Sequence, residues 1–214
     1  MKKLLLVLFI LSATFVFSQQ TINQLNAKGE KTGIWKKYYP NKNIRYQGQF
    51  VNGKEVGVFK FYSKNTSKHP IAIKTYAEKT DSVAVQFFTE KGVLQSEGKM
   101  IDKRRVGLWK YYHKKSKELL SVENYNNGKL DGEVKTFYKN GTVTEHLHYK
   151  KGIKHGVAKR FSSEGILLEK LTYKEGVLHG DAVFYNTNGD LIMSGKYKNG
   201  EKVGDWTVNP YQRD

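Results

Sequence analysis

Hydrophobic positions follow a two-strand pattern that recurs along most of the chain. In the unit that begins at Gly132, the alternating segment Val134–Tyr138 is followed by the turn residues Asn140-Gly141 and a second alternating segment, Val143–Tyr149. Period-two alternation indicates strands, and Asn-Gly is a strong signal for a hairpin turn. No segment keeps the 3.6-residue periodicity of an amphipathic helix. The sequence therefore predicts an all-β protein.

Glycines mark the repeat. The 20 glycines fall into four positions of one unit, and we call the most regular position the marker glycine. Markers recur every 24 or 25 residues, except for a double step from Gly57 to Gly107 in which Ser82 takes the marker position. The marker glycines are Gly33, Gly57, Gly107, Gly132, Gly156, Gly180 and Gly204. Since glycine adopts positive φ without steric cost, these positions are predicted to be turns or tight-packing sites.

Aromatic residues keep the same register. Two residues after a marker stand Trp35, Phe59, Trp109 and Trp206, with Ala or Val in the other units. Five residues after a marker stand Tyr38, Tyr62, Phe87, Tyr112, Phe137, Phe161 and Tyr185. Stacked hairpins would align these rings between neighbouring units. The sequence thus predicts an elongated, single antiparallel meander of about seven to eight 24-residue β-hairpin repeats.

Four regions follow from this register. Residues 1–18 are predicted to be a signal peptide, 19–28 an N-terminal lead-in, 29–208 the repeat array and 209–214 a C-terminal tail. Within the array, residues 63–81 are predicted to be an irregular loop or degenerate unit, because Pro70 interrupts strand pairing.

The N-terminus has the features of a secretory signal. Lys2 and Lys3 precede an apolar run, and Val16 and Ser18 suit a cut between Ser18 and Gln19. A membrane span needs about twenty apolar residues, which this run does not reach. We expect a periplasmic or secreted protein with no integral membrane span after cleavage. An uncleaved anchor is the alternative.

The amino-acid composition limits the kinds of chemical site that the chain can contain. The chain has no cysteine, which excludes a disulfide framework, a lipoprotein anchor, a thiolate metal site and a cysteine nucleophile. Lys and Arg number 37 against 20 Asp and Glu, for a net charge of +17. Removal of Lys2 and Lys3 leaves 35 − 20 = +15. Such a charge fits either an anionic partner or a solvated lysine-rich surface.

The recurring units G-x-W-K-x-Y-Y, F-Y-K-N-G-x-V and Y-K-x-G-x-x-x-G resemble the bacterial variant of the MORN repeat, as found in YwqK-family antitoxins. The resemblance covers residues 29–208. It implies an extended antiparallel sheet and an interaction function, and it carries no catalytic residues. The antitoxin label implies neutralisation of a partner protein, which for an exported chain becomes immunity against an envelope toxin.

Two rival functions are weaker. Choline-binding wall repeats are also rich in glycine and aromatic residues, but this chain has only Trp35, Trp109 and Trp206, and its positive charge would repel a quaternary ammonium. The sequence contains no G-x-S-x-G, H-E-x-x-H, P-loop or Rossmann pattern. We therefore expect neither an enzyme nor a bound cofactor, with a cryptic hydrolase as the least favoured alternative.

Lysines repeat three residues after five markers. They are Lys36, Lys60, Lys110, Lys135 and Lys159. Alternation places them on the same face as the aromatic residues two positions later, unless a bulge intervenes. They form either a basic–aromatic ladder for an anionic polymer or a set of charges that keeps the sheet soluble.

Histidines offer a weaker signal for a metal. His155 and His179 repeat in register, but equivalent positions two strands apart lie about 9–10 Å from each other, too far to share an ion. His146 and His148 share a strand face, with no third ligand apparent nearby. The sequence therefore predicts no metal site.

Together these features predict an exported protein-binding or scaffold module of the cell envelope, with binding of an anionic polymer or envelope surface as the alternative. The last strand, near Trp206–Val208, is predicted to be an open edge that a second copy could pair with.

Overall fold

The computed structural model describes residues 21–78 and 80–209, and all of their regular structure is β. The predicted signal peptide, its cut between Ser18 and Gln19, and residues 210–214 of the predicted tail lie outside the described residues. In the part of the chain that is described, no helix is long and apolar enough to cross a membrane.

Seventeen strands make up the sheet over the described residues. In chain order they are β1 (Gln24–Leu25), β2 (Lys31–Tyr38), β3 (Ile44–Val51), β4 (Lys54–Phe61), β5 (Ala72–Tyr76), β6 (Val83–Phe88), β7 (Leu94–Ile101), β8 (Arg104–Tyr112), β9 (Leu119–Asn126), β10 (Lys129–Phe137), β11 (Val143–Lys150), β12 (Ile153–Lys154), β13 (Gly156–Phe161), β14 (Leu167–Lys174), β15 (Val177–Tyr185), β16 (Leu191–Lys198) and β17 (Glu201–Val208).

The strands form one open antiparallel meander, which confirms the predicted fold class. Each strand pairs with the next one along the chain, and β11 pairs with both short β12 and β13. Among the described residues, β17 pairs only with β16, so its outer edge carries no strand. At the other end, β1 covers part of the edge of β2.

Two kinds of turn connect the strands. Between repeats, two-residue turns hold both residues at positive φ, as at Asn52 (φ 47°) and Gly53 (φ 73°). This conformation matches the twist of a hairpin and favours Asn-Gly. Within repeats, a longer turn ends on a residue at positive φ, such as Gly141 (φ 86°), whose N–H donates to the Tyr138 carbonyl at 3.0 Å. Glycine or asparagine occupies most of these positions, although Lys42, Lys103 and Glu175 also have positive φ.

The marker glycines lie at β-bulges of the strands. All seven have φ between 63° and 110°. Between β7 and β8, Glu97 pairs with Lys110 but Lys99 pairs with Val106, so the marker Gly107 lies in a stretch of β8 that is two residues longer than the facing stretch of β7. A bulge of this kind bends the strand and demands a residue that tolerates positive φ.

The register corrects one predicted marker. Each marker glycine before the last one pairs with the residue seven positions before the next marker, as Gly132 does with Tyr149. In the degenerate unit, Met100 lies seven positions before the next marker, Gly107, and it pairs with Val83. Val83 therefore occupies the marker position. The prediction of Ser82 was wrong by one residue, and Phe88 rather than Phe87 takes the fifth position. The extra residues lie in the connection between β4 and β5. Tyr76 precedes Val83 by the usual seven positions, whereas Gly57 precedes its partner Tyr76 by 19 positions and Gly132 precedes Tyr149 by 17.

The sheet continues through the segment predicted to be irregular. Strand β5, Ala72–Tyr76, lies within 63–81 and pairs without a bulge with both β4 and β6. Pro70 precedes this strand and removes no ladder hydrogen bond from it. The irregular backbone is confined to the connections on either side of β5.

The buried core is a row of side chains two residues after each marker. Its most buried members are Phe59, Val85, Trp109 and Ala182, each at most 1% exposed. We call the sheet surface that carries them the aromatic face. Trp109 packs against Phe87, Tyr111 and Tyr125, with ring centroids 6.3–6.4 Å away. A single-layer sheet thus obtains its core from rings that stack along the array.

Three glycines make room for the largest rings. A Cβ on Gly98 would lie 2.4 Å from the Trp109 ring, and one on Gly195 would lie 2.3 Å from Trp206. Gly48 stands in the same relation to Phe59, at 2.5 Å. None of the three has positive φ, so the close approach of the ring, and not the backbone, requires glycine there.

Basic residues cover the outer side of the tryptophans. Two residues before their markers, Lys31, Arg105 and Lys202 place their cationic groups 4.7, 4.8 and 4.3 Å from the centroids of Trp35, Trp109 and Trp206. Cation–π contacts of this kind are worth about 0.5–2 kcal/mol. The marker bulge supplies the bend that brings each cation over its ring.

Candidate functional site

The predicted lysines lie in one straight row on the sheet surface opposite the aromatic face. Cross-strand pairing joins them through the residues between them, and we call this set the lysine row. It runs Lys36, Gln47, Lys60, Ile73, Gln86, Glu97, Lys110, Val122, Lys135, His146, Lys159, Lys170, Val183, Ser194, Thr207. Positions two strands apart are separated by about 9–10 Å.

The lysines of the row differ in their surroundings. Lys36, Lys60 and Lys159 form no ion pair with any described residue, whereas Lys135 Nζ lies 3.1 Å from Glu133 Oε2. Lys110 lies directly opposite Glu97, which is on the neighbouring strand β7. Three of the five predicted lysines therefore keep their charge available to a ligand.

Glu97 places a fixed negative charge in the middle of the row. Its carboxylate accepts hydrogen bonds from Tyr112 at 2.7 Å and from Gln86 at 3.0 Å. These bonds, and then the charge of Lys110, lower the pKa of Glu97 below its usual range. Burial, together with the Glu97 bond, raises the pKa of Tyr112 to about 12. The row is thus mixed in charge.

The aromatic residues five positions after the markers flank the row. Tyr112 bonds Glu97, and the buried Tyr62 accepts a hydrogen bond from Gln47 at 3.2 Å, so both lie on the face of the row. Tyr38 is 48% exposed at the N-terminal end. The remaining predicted members are partly buried at the ends of their strands, namely Phe137, Phe161 and Tyr185.

Two of the histidines meet a third potential ligand. Glu133, which pairs across the strands with His148, places its carboxylate oxygens 3.5 Å from His146 Nε2 and 3.7 Å from His148 Nε2. The sequence interpretation that no third ligand is near was wrong, because it did not include the neighbouring strand. Among the described residues, His155 and His179 do not join this cluster.

The surroundings of the cluster lower the pKa values of Glu133 and His146. A hydrogen bond from Lys135, followed by its charge and those of the two histidines, lowers the pKa of Glu133. Burial lowers the pKa of His146, which favours its neutral form. The cluster therefore combines one ionised carboxylate with an imidazole that favours its uncharged state.

The periodicity of the structure coincides with a known repeat family. Four segments of the chain match the family model described as MORN repeat variant, at residues 31–52, 130–151, 154–175 and 178–199. The repeats are similar to MORN repeats. Each matched segment begins two residues before a marker glycine and spans one two-strand unit. Strands β4–β9, which lie between the first two matches, continue the same meander, with marker bulges at Gly57 and Gly107 but without a bulge between β5 and β6.

MORN repeats are commonly modules that bind proteins or membranes. No curated protein matches the chain at a significant level. An interaction function is what the family match supports for this architecture.

Proposed function

We propose that the mature chain is an exported, non-enzymatic protein-binding or scaffold module of the cell envelope. The antitoxin- or immunity-like role implied by the sequence resemblance is one form of this function. The observation that carries the proposal is the lysine row, a long line of aligned side chains across one face of an open, single-layer sheet. Such a face presents many equally spaced contacts to an extended partner.

The composition of the row favours a protein as the partner. The apolar side chains of Ile73, Val122 and Val183 lie among the lysines of the row, and Glu97 interrupts the positive charge. Protein interfaces combine apolar and polar contacts in this way, whereas affinity for a polyanion comes mainly from neutralised charges.

Capture from envelope extract of the source organism at low and high salt tests this proposal. A protein partner held by apolar and hydrogen-bonded contacts should remain bound at high salt and should survive nuclease and glycosidase treatment. If no captured material remained bound at either low or high salt, the proposal of a protein partner would be contradicted.

The free lysines favour one second candidate, binding of an anionic polymer. Replacing Lys36, Lys60 and Lys159 by glutamate reverses three charges that face no acidic cross-strand neighbour. If these lysines bind a polyanion, three contacts should reduce affinity about 20- to 40-fold between 50 and 200 mM salt, and the triple variant should lose that dependence. Titration of a labelled polyanion by fluorescence anisotropy measures both effects.

A loop variant provides the matched control. Lys42, Lys64 and Lys115 lie in connections between strands, and their replacement by glutamate makes the same change in net charge. If the loop variant and the row variant weaken polymer binding equally, attraction by net charge explains the binding and the lysine row has no special role.

The exported part of the proposal has its own test. The protein isolated from its native source should have lost residues 1–18 and begin at Gln19, because the n-region, apolar run and cleavage site suit signal peptidase. Intact mass spectrometry of cell fractions measures this. A full-length mass in the cytoplasmic fraction would refute export without affecting the binding proposal.

A further inference from the structure

Glu133, His146 and His148 form a compact cluster on the face of the lysine row. One ligand atom from each residue lies within 4.8 Å of the other two. The two imidazoles are tilted by 35° with ring centroids 4.8 Å apart, and the carboxylate reaches them from the adjacent strand β10. Two rigid, paired strands hold the three groups, so the cluster does not depend on a flexible loop.

The ring orientation of His148 is fixed by the backbone. Its Nδ1 lies 2.8 Å from the Val157 carbonyl oxygen, which can only accept a hydrogen bond. In the neutral ring Nδ1 therefore carries the proton, which leaves the lone pair on Nε2, the nitrogen that lies 3.7 Å from Glu133 Oε1. Metal-binding histidines in proteins are oriented by this kind of bond from the second ring nitrogen.

His146 presents a polar atom that the protein leaves unsatisfied. Its Nε2 is buried and makes no hydrogen bond within the described residues, although Glu133 Oε2 lies 3.5 Å away. A buried nitrogen without a partner is costly unless something else binds it. A cation between His146 and Glu133 would satisfy this nitrogen.

The distances suit a small transition-metal ion. Zinc binds imidazole nitrogen at about 2.0–2.1 Å and carboxylate oxygen at about 2.0–2.2 Å, so tetrahedral ligand atoms are about 3.3–3.4 Å apart. The carboxylate oxygens lie 3.5 and 3.7 Å from the two Nε2 atoms. Small side-chain rotations would bring all three ligands onto one ion.

Lysines oppose a bound cation. Lys135 Nζ lies 3.1 Å from the same Glu133 Oε2, and Lys159 is the cross-strand neighbour of His146. An incoming ion must displace Lys135 from the carboxylate. This competition makes the affinity of the site depend on Lys135.

We propose that Glu133, His146 and His148 form a binding site for Zn²⁺ or a similar divalent transition-metal ion. The Nε2 atoms of the two imidazoles and one carboxylate oxygen supply three ligands, and water completes the coordination. This proposal does not rest on the partner proposed above, although His146 belongs to the lysine row.

Titration of the untagged protein with Zn²⁺ and with Co²⁺ tests the site. We expect saturation at one ion per chain by calorimetry and the intense visible absorption of tetrahedral Co²⁺. Glu133→Gln and His148→Gln should each weaken Zn²⁺ binding at least about tenfold, since even residues that only orient a metal ligand commonly contribute that much. Lys135→Gln should strengthen binding up to about fivefold by removing the competing ion pair.

His155→Gln is the matched control, because it removes a histidine side chain that lies between β12 and β13 and does not join the cluster. The variant keeps the backbone N–H of residue 155, which donates to the His148 carbonyl at 2.9 Å. It should bind Zn²⁺ as the unaltered protein does. Circular dichroism of each variant shows whether its fold is retained. Because the Glu133 side chain is half exposed, Glu133→Gln should leave the buried core intact. Unchanged affinity in Glu133→Gln, a loss in His155→Gln, or no saturable binding by the unaltered protein would each overturn the proposal.

Discussion

Replacing Trp109 by alanine should lower the free energy of unfolding by about 3–5 kcal/mol, the range measured for large buried aromatic residues. Trp109 is fully buried, lies against Gly98 and beneath Arg105, and donates its indole N–H to the Lys99 carbonyl at 3.0 Å. The substitution removes the ring on which two neighbouring strands pack. For a chain of this size the expected fall in Tm is about 6–20 °C, measurable by circular dichroism during heating.

Trp35→Ala is the matched control for this result. Trp35 occupies the same repeat position and has a cation above it, Lys31 in place of Arg105, but it lies in the first unit and is only partly buried. Because each unit of a linear array contacts only its neighbours, a ring at the end has fewer partners than one in the middle. If Trp35→Ala costs as much as Trp109→Ala, the stability does not come from stacking along the array.

The sequence alone predicts the sheet because the signals that define it are local. Asn52-Gly53 and Asn140-Gly141 specify their turns without reference to any other strand, and alternation specifies the strand between two turns. The regular spacing of the markers then fixes the order of strands, since a meander leaves each hairpin beside the next.

Contacts between strands are harder to predict, because they depend on the register. Each marker bulge shifts pairing by two residues, so alternation within one strand does not show which residue lies opposite. Glu133 is absent from the sequence interpretation of His146 and His148 because it lies on the neighbouring strand, in a hairpin whose register shifts beside its turn, between Thr136 and Phe137. Ser82 replaces Val83 as a marker because the longer connection between β4 and β5 changes the sequence spacing. Once the register of a strand pair is known, the cross-strand partner of each residue can be found by counting along the two strands.

One signal in the sequence could have revealed the packing of the core. Glycine stands nine residues before the marker in the units that carry Phe59, Trp109 and Trp206 two residues after it. Where the later residue is alanine, the earlier one is leucine, as in the pair Leu171 and Ala182, which face each other across β14 and β15. In the units with a glycine–aromatic or a leucine–alanine pair, a large residue therefore faces a small one, whereas Val85 faces Lys74 and Val134 faces Glu123.

This size matching predicts a rescue. Gly98→Leu should destabilise the fold by about 3 kcal/mol, because even a Cβ at this position would lie 2.4 Å from the Trp109 ring and force it outward. Combining Gly98→Leu with Trp109→Ala recreates the pair found at Leu171 and Ala182. The double variant should be more stable than either single variant, with a coupling free energy of about 2–3 kcal/mol in a double-mutant cycle measured by urea denaturation.

Lys99→Leu separates this effect from a general cost of added leucine. Lys99 neighbours Gly98 on the same strand, is exposed, and points to the opposite face, so its replacement should change stability by less than about 0.5 kcal/mol. Additive effects of Gly98→Leu and Trp109→Ala would contradict direct packing between the two positions. A coupling of the expected size would mean that the repeat tolerates either a glycine with an aromatic ring or a leucine with an alanine, which explains how units of such different composition stack in one sheet.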